Sequence, residues 1–191
     1  MSVPRGVDAT TRSVGCDRVD MRLPVLEIPV VRVALVRETT LNAVPRTVGR
    51  PADAASVFRE LVGDRDRETF AVLMLDVKHR VLAAHIASIG ALDHSIVEPR
   101  EVFRAAVLAG AKAVILGHNH PSGDPTPSDA DCQITGRLRQ AGQLLGIRVL
   151  DHVIIANGGA WVSLAERGGL SSASTRERCS VRHRRPALAG E

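Results

Sequence analysis

Apolar residues along the chain fall into short runs separated by glycine, proline and charge, and the period of each run assigns it to an element. Residues 28 to 38, IPVVRVALVRE, are rich in β-branched side chains and read as a strand, followed by a turn-rich connector through Pro45, Gly49 and Pro51. In ADAASVFRELVG, Val57, Phe58, Leu61 and Val62 share one helical face, and Gly63 is placed to end that helix as its C′ residue. Thr69 to Asp76 and Val81 to Ile89 are apolar runs too short for helices. With the polar Lys78, His79 and Arg80 between them, they predict a hairpin. Pro99 opens a helix through EVFRAAVLAGA, and Ala113 to Leu116 reads as a buried strand ending at Gly117. From Ser128 a second amphipathic helix carries Ile134, Leu138, Ala141 and Leu145 on one stripe, closed by Gly146. The apolar runs IRVL, HVIIA and WVSL follow, the last two joined across Asn157, Gly158 and Gly159 as a hairpin. The sum is an α+β domain with one mostly antiparallel sheet flanked by helices, over residues 25–170, without an internal repeat. Residues 1–24 and 171–191 read as disordered ends.

Composition narrows the function more than the fold. A chain of 191 residues with 45% hydrophobic and 24% charged residues suits one globular domain with loose ends. Three Phe, one Trp and no Tyr leave the core to Val, Leu, Ile and Ala, and supply no aromatic platform for stacking single-stranded bases. No stretch is apolar enough to cross a membrane or act as a secretory signal, so a cytoplasmic protein without membrane attachment is expected. Cys16, Cys132 and Cys179, odd in number and far apart, suit reduced thiols. The net charge of +4 is unevenly placed: +1 over residues 1–24, zero over 25–170 and +3 over 171–191. A neutral core argues against a nucleic-acid-binding face, while the basic tail leaves room for a weak contact with nucleic acid or an acidic partner. A homo-oligomer is compatible with an uncovered sheet edge, which the sequence does not locate.

The chemistry is concentrated in GHNHPSGDPTPSDAD, residues 117 to 131. At the end of a strand, His118 and His120 point to the same side and can converge on one point. A stiff loop with Pro121, Gly123, Pro125 and Pro127 can bring Asp131, in the first turn of the next helix, to the same place. Two histidines and one carboxylate leave a fourth position for water, the layout of a catalytic zinc site, and so predict hydrolysis. A plainer reading stands beside it: Ser128 and Asp131 also form a capping-box pattern, and the serine can be both cap and participant. Asp124, mid-loop, reads as an Asx-type turn, with a substrate contact as the alternative.

His-x-His, seven residues, Ser, two residues, Asp resembles the zinc motif of the JAMM (MPN/JAB) metalloprotease family, and His118-Asn119-His120-Pro121-Ser122-Gly123-Asp124-Pro125 resembles its RadC branch. The similarity runs over about residues 45–169, including Arg67-Glu68 with Phe70, Pro99 to Val102, Arg148 to His152 and Ala165 to Gly168. Many RadC-like proteins carry an N-terminal helix-hairpin-helix region, and too little chain precedes residue 45 here to supply one, so the short, domain-only form is expected. The resemblance implies a single MPN/JAB-like domain with a curved sheet, and zinc held by His118, His120 and Asp131. It also implies a glutamate as general base. Glu68, directly before TFAVLML, matches the family placement; Glu101 in a helix first turn is the rival, with Glu98 behind it. In that scheme Glu68 takes the proton of a zinc-activated water that attacks an amide carbonyl of a peptide or protein substrate, and Ser128 helps to stabilise the oxyanion. Two other functions compete: a non-catalytic DNA-repair accessory or scaffold, and, more remotely, a metal-dependent nuclease suggested by the letters HNH. His85, His94 and His152 are read as structural or surface groups. His152 cannot form a triad with Asp151, because adjacent strand residues face opposite ways.

Overall fold

The computed structural model describes residues 29–42, 46–90 and 97–168. Three helices and five strands follow one another: α1 (Pro51–Val62), β1 (Thr69–Leu75), β2 (Val81–Ile89), α2 (Pro99–Leu108), β3 (Ala113–His120), α3 (Asp129–Leu145), β4 (Arg148–Ala156) and β5 (Trp161–Ser163). The strands form one open sheet in the order β2-β1-β3-β4-β5. Only β3 and β4 pair in parallel, as they must when α3 carries the chain back between them; the other three pairs are antiparallel. No helix among the described residues is long and apolar enough to cross a membrane.

Both faces of the central strands are covered, which explains why β1 reads as an unbroken apolar run and is buried at every position. Phe70, Val72 and Met74 of β1 and Val114 and Leu116 of β3 join Val102, Phe103, Ile134 and Leu138 of α2 and α3 in one cluster. Ala71, Leu73, Leu75, Ala113 and Ile115, on the opposite face, join Ala54, Val57 and Phe58 of α1. β3 therefore presents even-numbered residues to α2 and α3 and odd-numbered residues to α1.

Several boundaries depart from the sequence pattern, each for a physical reason. Residues 29–38 form no strand, and Val30, Val31, Val33 and Val36 are exposed: β-branched composition makes a strand only when another strand pairs with it. β3 does not stop at Gly117 but runs on to His120. Gly117 is there for close packing, since a Cβ at this position would lie 2.5 Å from the Phe58 ring. The runs IRVL and HVIIA merge into the single strand β4. The intervening Asp151 is satisfied within the fold, accepting from the His152 and Ala165 N–H groups and the Ser163 hydroxyl. Gly63 ends α1 in a right-handed conformation, whereas Gly146 is left-handed, as a C-terminal glycine cap requires. Cys132 is buried, and Cys16 and Cys179 lie outside the described residues. His94 and the segments 1–24 and 171–191 also lie outside them.

Candidate metal centre

β3 alternates, and its last turn of alternation builds the site. His118 and His120 lie on the α2 and α3 side of the sheet. The loop that follows turns through Gly123 (φ 85°) and is tied back by Asn157, whose amide donates to the Pro121 carbonyl at 3.0 Å. It delivers Ser128 as the N-cap of α3 and Asp131 in the first helical turn. His118 Nε2 and His120 Nε2 are 2.9 Å apart, with Asp131 Oδ1 3.2 Å from the first and Oδ2 3.6 Å from the second. His118 and Asp131 are buried and His120 half-buried. The three residues form a group that could hold a metal ion, their donor atoms all within 4.8 Å of one another.

Proton positions decide what these atoms can do. His120 Nδ1 sits 2.7 Å from the Asp124 carbonyl, which can only accept, so Nδ1 carries the hydrogen and Nε2 is a bare lone pair. The Thr135 hydroxyl, on α3 one turn beyond Asp131, donates to the Asp131 carbonyl and therefore accepts from His152 Nδ1–H. His152 Nε2 is then an acceptor, and the His118 Nδ1–H donates to it at 2.9 Å. His118 Nε2 is left bare as well. With both rings neutral, two lone pairs and a carboxylate oxygen thus converge, an arrangement that suits a cation; protonated, either ring donates to Asp131 instead. The three separations resemble the edges of a tetrahedron with bonds of about 2.0–2.1 Å, which are roughly 3.3–3.4 Å.

The charges behave accordingly. Burial works against ionising Asp131, but the hydrogen bonds from His118 and His120 prevail and hold it far below the usual carboxylate range. Asp131 raises His120 above the ordinary imidazole value, with the Asp124 carbonyl and Glu68 acting in the same direction. Burial, and then His118, lowers His152 to about 3, so it is neutral. The capping box and the approach to the histidines coexist in one carboxylate: Asp131 Oδ2 accepts from the Ser128 N–H and hydroxyl, both at 2.7 Å, while Oδ1 faces His118.

The remaining acids separate by position. Glu68, immediately before β1, lines an open polar cavity of about 300 Å³ together with His120, Asp124, Ser128 and Asp131. Glu101 pairs with Arg100 and Arg104 on its own helix, and Glu98 pairs with Arg137 of α3; neither lines that cavity. The Asp124 carboxylate accepts from the Thr126 N–H, closing an Asx turn, while its backbone carbonyl orients His120. His85 is half-buried on β2, its pKa lowered by burial and by Arg104. His152 has more to do than the sequence discloses. The signals were present, a histidine inside an apolar strand and a threonine four residues after Asp131, but only the β3–β4 register, which sets Leu116 opposite His152, brings the ring beside His118.

A family model for the RadC-like JAB domain matches residues 48–170, a stretch that holds every helix and strand described and all three converging ligands. The chain belongs to the RadC-like JAB domain family. Among curated relatives, this RadC-like domain is 50% identical over 122 residues to a UPF0758 protein of Caldanaerobacter subterraneus subsp. tengcongensis, covering 64% of this chain and 52% of the relative. It is 52% identical over 120 residues to a UPF0758 protein of Pelobacter propionicus, covering 63% and 52% respectively. With a UPF0758 protein of the archaeon Methanosarcina mazei it shares 42% identity over 131 residues, covering 69% and 57%. The chain thus spans about half the length of the curated relatives it matches.

Proposed function

We propose that this RadC-like JAB domain is a zinc-dependent hydrolase that cleaves an amide bond, as a peptidase or isopeptidase, in a peptide or protein substrate. The observation that carries the reading is the meeting of two bare imidazole nitrogens and a carboxylate oxygen beside an open cavity that also contains Glu68. His118, His120 and Asp131 would hold the metal, and a nitrogen-rich set with one carboxylate is a donor set that suits zinc. Zinc bound there supplies a Lewis acid and lowers the pKa of a water ligand to about 7. The protein's own groups do the rest. Glu68 accepts the proton of the attacking water and returns it to the leaving amine. Asp124, through its carbonyl, and His152, through its ring, hold the two imidazoles in their ligating tautomers. Ser128 anchors Asp131 and stands in the cavity wall, where its hydroxyl becomes an oxyanion donor once it turns from Oδ2.

Membership of a metalloprotease-containing domain family supports this reading, and the neutral charge of residues 25–170 weighs against the nuclease alternative. The test is metal content by plasma mass spectrometry after dialysis against metal-free buffer, on the wild type beside His120→Ala. Near-stoichiometric zinc in the first and little in the second is expected. No zinc in either, with both folded and zinc re-addition without effect, would leave Ser128 and Asp131 as a helix cap alone and favour the scaffold reading.

A further inference from the structure

Asn119 stands between the two metal-binding histidines and faces the other way, on the α1 side of β3, with no exposed surface. Its carboxamide is fully used. Oδ1 accepts from the Thr69 N–H at 2.8 Å, and Nδ2 donates to the Arg65 carbonyl at 3.0 Å and the Arg67 carbonyl at 3.2 Å. All three partners are backbone groups, two in the short connector between α1 and β1 and one on the first residue of β1, and Arg67 and Thr69 flank Glu68.

The β1–β3 ladder explains why a side chain is needed. Its last backbone pair is Phe70 with His118. The next positions would set Thr69 opposite Asn119 and Glu68 opposite His120, but there the carboxamide replaces the backbone as partner of the Thr69 N–H. It also gathers the two connector carbonyls, of Arg65 and Arg67. On the other side, the Glu68 carbonyl accepts from the Gly90 N–H at 2.8 Å at the end of β2. The glutamate's backbone is therefore fixed from both flanks.

We infer that Asn119 is a positioning residue, which couples the metal-bearing strand to Glu68 and sets where its carboxylate stands relative to the metal-binding cluster. The inference rests on the reading of the site as a metal centre with Glu68 as base. A side chain of this length offering one acceptor and two donors in a plane meets the requirement, whereas aspartate would turn a charge toward two carbonyls.

The experiment uses the cobalt-substituted full chain, because the visible bands of Co²⁺ report the ligand field without needing a substrate. Wild type, Asn119→Ala, Glu68→Gln and the double variant are compared for cobalt stoichiometry and for the pH dependence of those bands. Cobalt stoichiometry is expected to be unchanged in all four, because the three ligands are untouched. Asn119→Ala is expected to displace the pH midpoint in the same direction as Glu68→Gln and by at least half as much, and the double variant to add nothing to Glu68→Gln. A wild-type midpoint in a folded, cobalt-loaded Asn119→Ala overturns the positioning role alone. Failure of the wild type to bind cobalt overturns the metal reading and this inference with it. Should Asn119→Ala unfold, Asn119→Asp, isosteric and still able to accept from Thr69, takes its place with the same expected direction and the same overturning result.

Discussion

At the scale of single residues, Asp131 divides its carboxylate between two duties, Oδ2 on the helix cap and Oδ1 facing His118. The two duties can be separated by substitution. Asp131→Asn keeps an acceptor for Ser128 and is expected to stay folded while losing metal; Asp131→Ala loses metal and, in addition, about 1 kcal/mol of stability with the cap. Zinc stoichiometry and a urea midpoint on both variants check this, and equal destabilisation in the two would contradict it. Thr135 acts at one remove. In Thr135→Val, His152 Nδ1 loses its acceptor, the ring is free to take the other tautomer, and His118 no longer has a fixed partner. Zinc affinity is expected to fall by roughly 10–100-fold with the fold retained, as read by competition with a chromophoric chelator. Acid should expose the same wiring in the metal-free protein. His152 is lowered to about 3, so the unfolded chain binds a proton more readily, and stability is lost as the pH falls below about 6.5, by at most about 1.4 kcal/mol per unit. His120 is raised and acts oppositely: its contribution is full below the unfolded pKa and is lost as the pH rises through the folded value. Urea midpoints against pH in the presence of chelator should therefore fall less steeply below about pH 6.5 in His152→Gln, whereas His120→Gln should remove a loss of stability that the wild type shows as the pH rises above about 6.5. Identical slopes would contradict this assignment.

At the scale of elements, what could be read in advance tracks how local the information is. α1, the β1–β2 hairpin and α3 follow from period and punctuation alone, because each announces itself within its own residues. His118, His120 and Asp131 were legible for the same reason, all three lying within fourteen residues of one another. The segment at 29–38 was not, since a strand is a property of a pair. Nor was the far end of β3: a glycine after an apolar run normally marks a turn, and Gly117 is instead the gap into which Phe58 packs. Gly117→Ala is expected to cost about 1–3 kcal/mol through overpacking against that ring. The loss should be partly recovered in the double variant with Phe58→Leu, measured by chemical denaturation; full additivity of the two changes would contradict the proposed clash. His152 escaped for a third reason, because the pairing that sets it beside His118 is a parallel register across a helix crossover, which no local pattern encodes.

At the scale of the whole molecule, the described sheet has unequal margins, nine residues of β2 on one side and three of β5 on the other. Apart from the single bridge from Thr47 to Arg80, no strand among the described residues covers the outer side of β2, which makes it the edge at which to test for a contact between copies of the chain. Metal should be felt throughout the fold. Zinc at 1,000 times its dissociation constant stabilises by about 4 kcal/mol if it binds only the native state, so chelation should lower the thermal midpoint of the wild type and leave that of His118→Ala unmoved. Glu68→Gln should respond to zinc as the wild type does, which would separate retention of the metal from catalytic competence.

The candidate metal ligands and the tautomer-setting side chains, from His118 through Asp131 and Thr135 to His152, belong to the contiguous stretch β3–α3–β4, whereas Glu68 arrives from another part of the chain. The two halves of the site therefore face different entropic histories as the polypeptide folds. The first closes a loop of a few dozen residues; the second forms only after β1 has docked beside β3. On the proposed function, a folding chain would capture its ion before it owned a base, and loss of the glutamate would leave a loaded, inert metalloprotein.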